Sequence, residues 1–391
     1  MTLNQVHTIG ELEQLFYTRA GNRYLQAGDL NASINVNKAD APAVTGTTGA
    51  HNIIYGAECW NQLNQESNAF GLFGKYPWNH SGWRVITARG ASTPTGGVAE
   101  DGSIPETTKP TLALVEATLK TIAHAFNNSE KLEFLATQGK DDAVMSMAFL
   151  RTYFMTEHVE HINKMLLTDN QTAATNVFES LDRVVASKAE LTAISGAAGS
   201  LDIYGVDRDA AGWSDAYVNS GASGVDRTLT DAILRTTIRN VGANGGKPTF
   251  WLTGYDTRQS ILGLFDATTQ YRIDITGKNR ITGSANGIQT AEGGAYGTEV
   301  ALLYGLPLIV SKDMVADTIS RILLLDTGND INNFGPKLGI KIAKPTQYFE
   351  AGIDSGTPFA QGNFLNEGMY RTMGELVCTV FKSQGKIRDL Q

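Results

Sequence analysis

Apolar and polar positions along the chain fall into stretches of different period. Thr8 to Glu11 form a Thr-x-x-Glu capping box, with Leu12, Leu15 and Phe16 on one apolar stripe behind it. This predicts a short helix to about Arg19. From there to His80 the chain is rich in Asn, Gly, Ala, Ser and Thr, with weak periodicity. Loops longer than about 15 residues are uncommon inside compact domains. The stretch is therefore either disordered or an arm that lies on something else. Trp60, Phe70, Leu72, Phe73, Tyr76 and Trp78 are too apolar for a solvated tail and favour an arm packed on its own body or on a neighbouring subunit.

A long hairpin is expected next. Residues 83–89 read as a strand, because Trp, Val, Ile and Thr suit a pleated surface. Residues 111–126 read as a second strand of unusual length, about 50 Å if unbroken. The alternative is a pair of ordinary strands with a break near Glu116. Between the two runs, Gly90, Pro94, Gly96, Gly97, Gly102, Pro105 and Pro110 interrupt regular structure. A lone two-stranded hairpin is marginal in water, so the expectation is a hairpin that projects and finds a partner surface.

Residues 139–168 predict a long helix of about 40 Å. Asp141 and Asp142 fall in its first turn, Lys164 falls near its end, and Val144, Ala148, Met155, Val159, Ile162 and Leu166 make its apolar face. Residues 172–350 then alternate short helices and strands. A helix capped by Asp226 or Thr228 carries Leu229, Ile233, Leu234, Ile238 and Val241 and is stopped by Gly242. A buried strand follows at 249–253, a helix at 255–265, and a polar, Gly-rich loop at 271–295. Strands are expected at 299–310, 319–325, 337–342 and 373–381, with a basic tail at Lys382, Lys386 and Arg388. The fold class is α+β.

Composition adjusts this picture. Charged residues make up 18% of the chain and hydrophobic residues 42%. So few charges fit either an ordinary surface of neutral polar residues or a surface covered by neighbours. The net charge of −8 without a Lys/Arg run argues against a chain whose main task is gripping nucleic acid, although a container can hold DNA without binding it tightly. Cys59 and Cys378 are far apart and are expected as buried free thiols. No signal peptide and no apolar run near the ~20 residues of a membrane span are seen.

Candidate chemistry is sparse. Glu157, His158, Glu160 and His161 cluster on the predicted long helix, but the two His are three apart where a zincin requires four. A solvated or interface helix face is the expectation there. Gly245-Gly246-Lys247 superficially resembles a phosphate loop, but Pro248 takes the Ser/Thr position and the loop follows a helix and precedes a strand. Gly293, Gly294 and Gly297 do not form a dinucleotide fingerprint. The reading is therefore no enzyme, with no catalytic, cofactor-binding or metal-ligating residue assigned.

Two stretches carry a family resemblance. One is Gly246-Lys247-Pro248-Thr249-Phe250-Trp251-Leu252, a helix–turn–strand entry. The other is Leu303-Tyr304-Gly305-Leu306-Pro307-Leu308-Ile309-Val310-Ser311, followed by 319–326. With the order of elements, these resemble the major capsid proteins of tailed bacteriophages and related archaeal viruses, the Hong Kong 97-type fold. The family often ends its further strand in Gly-Asp, where this chain has Asp326-Thr327-Gly328, and Val315 stands where Pro is common. The resemblance implies an N-terminal arm at 1–80 and an extended β-hairpin loop at 81–126. It further implies a peripheral domain with a long spine helix at 127–171, an axial domain with a mixed sheet at 172–350, and a return to the peripheral domain at 351–391. It implies a homo-oligomer of pentamers and hexamers forming the icosahedral shell of a virion, assembled in host cytoplasm, that encloses double-stranded DNA. Portal, scaffold and decoration proteins are the partners it suggests, with no membrane. Because the first helix starts within ten residues of Met1, no cleavable leading segment is expected. The alternatives are an encapsulin-type nanocompartment shell around an enzyme cargo, against which the long arm argues, and an α/β enzyme with an unrecognised site.

Overall fold

The computed structural model describes residues 59, 61–88, 100–102, 109–138, 145–168, 176–190, 202–208, 211–266, 288–291, 300–329, 335–352 and 364–391. The helix expected at 8–19 and the arm up to residue 58 lie outside them. The helices are α1 (Asn68–Leu72), α2 (Glu130–Gln138), α3 (Met147–Leu167), α4 (Leu181–Val184), α5 (Asp231–Ala243) and α6 (Tyr255–Asp266). The strands are β1 (Lys75–Pro77), β2 (Gly82–Ala88), β3 (Thr111–Glu116), β4 (Lys120–Ser129), β5 (Tyr217–Asn219), β6 (Phe250–Thr253) and β7 (Ile288–Ala291). They continue with β8 (Val300–Leu303), β9 (Leu306–Val310), β10 (Ile322–Leu325), β11 (Leu338–Gly352), β12 (Leu365–Cys378) and β13 (Gly385–Ile387).

These elements form two compact units. One comprises Ala123–His158, Thr346–Arg371 and the described residues up to Gln65. The other, larger, comprises Glu66–Ile122, Val159–Pro345 and Thr372–Gln391. Helix α3 and strands β4, β11 and β12 contribute residues to each.

The larger unit is built on a seven-stranded sheet of order β5-β13-β10-β6-β9-β8-β7. Its centre, β6, is Phe-Trp-Leu-Thr and buried throughout, as a continuous apolar run bounded by turns predicts. Strand β9 lies parallel to β6 and antiparallel to β8. Tyr304 and Gly305 link β8 to β9 with φ of 53° and 78°, the left-handed pair that a two-residue hairpin turn requires. Pro307 is opposite Leu302, and the β6 pairing begins only at Leu308, so its missing N–H leaves no gap in the ladder. Helix α5 buries Leu234, Thr237 and Val241 at helical spacing. A Cβ on Gly385 would come within 2.7 Å of Val241, which explains glycine in β13 beneath that helix.

Several expectations need correction. Residues 111–126 are not one strand. Strand β3 stops at Glu116 and β4 starts at Lys120. The Ala117 amide still meets the Ser81 carbonyl in the β2–β3 register, while the Glu116 amide, on the opposite edge of β3, meets the Tyr204 carbonyl. The long helix begins at Met147 rather than 139. Helix α2 ends at Gln138, Met145 takes a left-handed φ of 63°, and Ser146 Oγ accepts the Phe149 amide as the cap. Helix α3 is thus 21 residues, about 31 Å. Asp141, Asp142 and Val144 lie outside the described residues. Ile162 and Leu166 of the expected face are buried, but Ala148 and Met155 are exposed, and Met147, Leu150 and His158 are buried in their place. Helix α5 is capped at Thr230, later than Asp226 or Thr228, and runs to Ala243. Part of the loop expected at 271–295 is strand β7, paired antiparallel with β8. Strand β11 has 15 residues, far beyond 337–342, and β12 starts at Leu365. Cys59 is exposed, and only Cys378 is buried.

The basic tail is not a tail. Lys386 sits in β13 and Arg388 just beyond it, both buried. Lys386 Nζ pairs with Asp182 (3.1 Å) and Glu190 (2.7 Å), Arg388 with Glu190 (2.7 Å), and Arg321 with Asp182 and Asp317 (both 2.8 Å). Burial pushes the Asp182 carboxyl up, but Lys386 and Arg321 outweigh it and hold the group well below the usual carboxylate range.

Candidate assembly surfaces

The hairpin is real in its root. β2 and β3 pair antiparallel from Gly82↔Glu116 to Ala88↔Thr111. Alternation gives the ribbon two faces. On the inner face, Trp83, Val85 and Val115 pack on the core of the larger unit, and Trp83 meets Tyr204 edge-on at 5.4 Å. On the outer face, Arg84 pairs with Leu114 and Ile86 with Leu112. Ile86, Leu112 and Leu114 are 64%, 56% and 76% exposed. A solvated ribbon face normally carries polar side chains, so this run of aliphatic rungs is the strongest apolar surface signal in the larger unit.

The root is held by several ties. Lys341 Nζ lies over the Trp83 ring at 5.0 Å, between Tyr76 and Trp78, and donates to the His80 carbonyl at 3.3 Å. Ser81 Oγ donates to Glu116 at 3.3 Å. Immediately after the strand break, Lys120 Nζ is buried between Glu375 (2.7 Å) and Glu179 (3.2 Å).

The smaller unit offers a second surface. Phe126 stacks on Phe154 at 4.7 Å and on Tyr348 at 6.2 Å, and Tyr370 donates its hydroxyl proton to the Arg151 carbonyl at 3.0 Å. A Cβ on Gly368 would come within 2.6 Å of the Phe126 ring, so that stack requires glycine there. A shallow groove of about 350 Å³ runs past Phe126, Phe349, Gly368 and Met369. Phe134, Phe349 and Phe364 are exposed on this unit.

The residues singled out for chemistry scatter. Glu157 accepts from Gln65 Nε2 at 3.0 Å, and Glu160 pairs with Lys312. His158 is fully buried, edge-on to His124 at 5.7 Å and near Tyr370, so it belongs to the core and not to a solvated face. No group of three or more metal-competent side chains exists among the described residues. At Gly245-Gly246-Lys247 the Lys247 amide donates to Asp326 Oδ2 at 2.8 Å. The same carboxylate takes Lys337 Nζ at 2.6 Å and the Gly328 amide at 3.1 Å. The loop is thus tied to the end of β10 and the start of β11, and its donor is already engaged. Asp326, fully buried, was the departure from the family pattern, and its anchoring role had no signal beyond the Asp-x-Gly spacing. Gly293, Gly294 and Gly297 lie outside the described residues. No described helix is long and apolar enough to cross a membrane.

No protein-family model matches the chain, and no curated protein matches it. Solved structures do. A cyanophage A-1(L) capsid asymmetric unit aligns with TM-score 0.60 and 16% identity, covering 85% of this chain and 95% of that one. The capsid of a native GTA particle aligns with TM-score 0.52 and 12% identity over 86% and 93%. The capsid of the empty GTA particle gives 0.50 and 12% over the same shares. The fold is therefore the Hong Kong 97-type capsid fold, an α+β architecture.

Proposed function

We propose that this chain is a major capsid protein whose copies assemble as pentamers and hexamers into an icosahedral shell around double-stranded DNA, in the virion of a tailed virus. The observation that carries this reading is the outer face of the β2–β3 ribbon. Ile86, Leu112 and Leu114 are left in water by a lone copy, on a hairpin whose inner face is already used. Repetition of one heterologous contact, between this surface and a complementary one on the next copy, closes a ring when its rotation closes. Obligate interfaces bury about 2,000–5,000 Å² in total, an area that needs the hairpin together with the apolar surface of the smaller unit. The role is structural, and no reaction is assigned to it.

The test is sedimentation of the purified chain beside Leu112→Glu/Leu114→Glu. The wild type should sediment as capsomers or shells, and the variant as a folded single copy. A variant that assembles like the wild type contradicts the proposed surface. Digesting native particles with nuclease addresses the contents: protected double-stranded DNA supports the viral reading, and an enzyme cargo without DNA supports a nanocompartment.

A further inference from the structure

The junction between hairpin and body contains a buried ionic cluster with an unusual balance. Lys120, first residue of β4, lies four residues beyond Glu116 of the last hairpin pair. Its ammonium is about 5% exposed and touches Glu375 on β12 and Glu179 ahead of α4. Glu179 is also held by Arg183 of α4 at 3.0 Å. Glu375 Oε1 accepts the Glu179 amide at 2.7 Å and the Leu376 amide at 2.9 Å. The remaining titratable neighbours are neutral hydroxyl and thiol groups: Tyr204, whose hydroxyl donates to the Leu376 carbonyl at 2.7 Å, with Tyr76 and Cys378 close behind it. With both carboxylates ionised, two cations face two anions, and one added proton leaves a buried net positive charge.

We propose that the Lys120–Glu179–Glu375 cluster is a proton-operated latch on the hairpin root: ionised Glu375 pins Lys120 and the β3–β4 junction, and protonation of Glu375 releases it.

The geometry makes the junction sensitive. Residues 117–119 are outside any strand, and the root there is held by the Glu116 amide on Tyr204 and the Ala117 amide on Ser81. Tyr204, which takes the Glu116 amide, reaches the residue next to Glu375, its hydroxyl donating to the Leu376 carbonyl at 2.7 Å, so the latch and that amide bond are joined through one side chain. Burial pushes the Glu375 carboxyl up to about 7, against the pull of Lys120, which brings the switch near neutral pH. Glu179 keeps Arg183 as a partner, so loss of one charge loosens Lys120 without emptying the pocket.

The latch lies within one copy and does not depend on the capsid reading. Hydrogen exchange on the full chain, corrected for the chemical rate, reads it. Between pH 8 and pH 6 the Glu116 and Ala117 amides should lose about tenfold protection, while Trp251 and Leu323 amides in the seven-stranded sheet stay constant. Glu375→Gln should show low protection of Glu116 and Ala117 at both pH values. A flat wild-type profile, which needs no variant to measure, overturns the proposal. So does an equal loss in the sheet, or a pH step that survives in Glu375→Gln.

Discussion

Lys386 shows how a single side chain organises the larger unit. It is fully buried and divides its charge between Asp182 and Glu190. Breaking a buried pair leaves an uncompensated charge, at a cost of about 3–5 kcal/mol. Lys386→Met should fall near the low end, because Arg321 still serves Asp182 and Arg388 still serves Glu190. Denaturant unfolding checks the loss. From sequence this residue reads as part of a solvated basic tail, because charge near a terminus ordinarily marks solvent. The counter-signal was the apolar Ile387 and Leu390 on either side of Arg388, both fully buried. The pH dependence has two opposed parts. Asp182 is depressed, so its stabilisation is present above the ordinary carboxylate value near 4 and is lost as pH falls below it. Glu375 is raised to about 7, so the folded state binds its proton more tightly than the unfolded chain. Stability is therefore lost as pH rises from the ordinary value of 4.5 towards 7. Glu375→Gln should lack that fall between pH 4.5 and pH 8, as read by unfolding at the two pH values.

At the scale of elements, the hairpin and the long helix were legible as elements and misread in their limits. Aromatic and β-branched content located β2 and β3, but nothing in 111–126 marks the bond of the Glu116 amide to the Tyr204 carbonyl just ahead of the break before β4. That bond is tertiary and leaves no mark on the local sequence pattern. In α3 the 3.6-residue period was visible, yet fully buried His158 and Asn163 lie on the inward side where apolar residues were sought. Asn163 belongs there because its side chain accepts the Phe70 amide at 3.1 Å. Two predictions belong to this scale. Leu112→Glu/Leu114→Glu changes residues already in water, so its unfolding free energy should stay within about 0.5 kcal/mol of wild type while assembly is lost. Replacing residues 90–110 by a short turn should likewise leave the body folded, by circular dichroism and melting, and impair assembly. Normal assembly of that deletion would remove the projecting-loop account.

For the whole molecule, the low charge content means more once burial is known. Of a charged fraction of only 18%, many members are internal, including Lys120, Arg183, Arg208, Arg321, Lys337, Lys386 and Arg388. Buried ion pairs thus take a part of the chain's small charge content that composition alone would assign to the surface. The order of elements carried the fold class, because helix–turn–strand at Gly246–Leu252 and the hairpin turn at Tyr304-Gly305 are local and sequence-encoded. The candidate assembly surface was only half legible: the hairpin was visible, but which of its faces stays in water depends on register. Electron microscopy of the purified chain tests the central claim most directly. The account predicts capsomer rings or closed shells of the wild-type protein. A persistent monomer or dimer across concentration and ionic strength would contradict it.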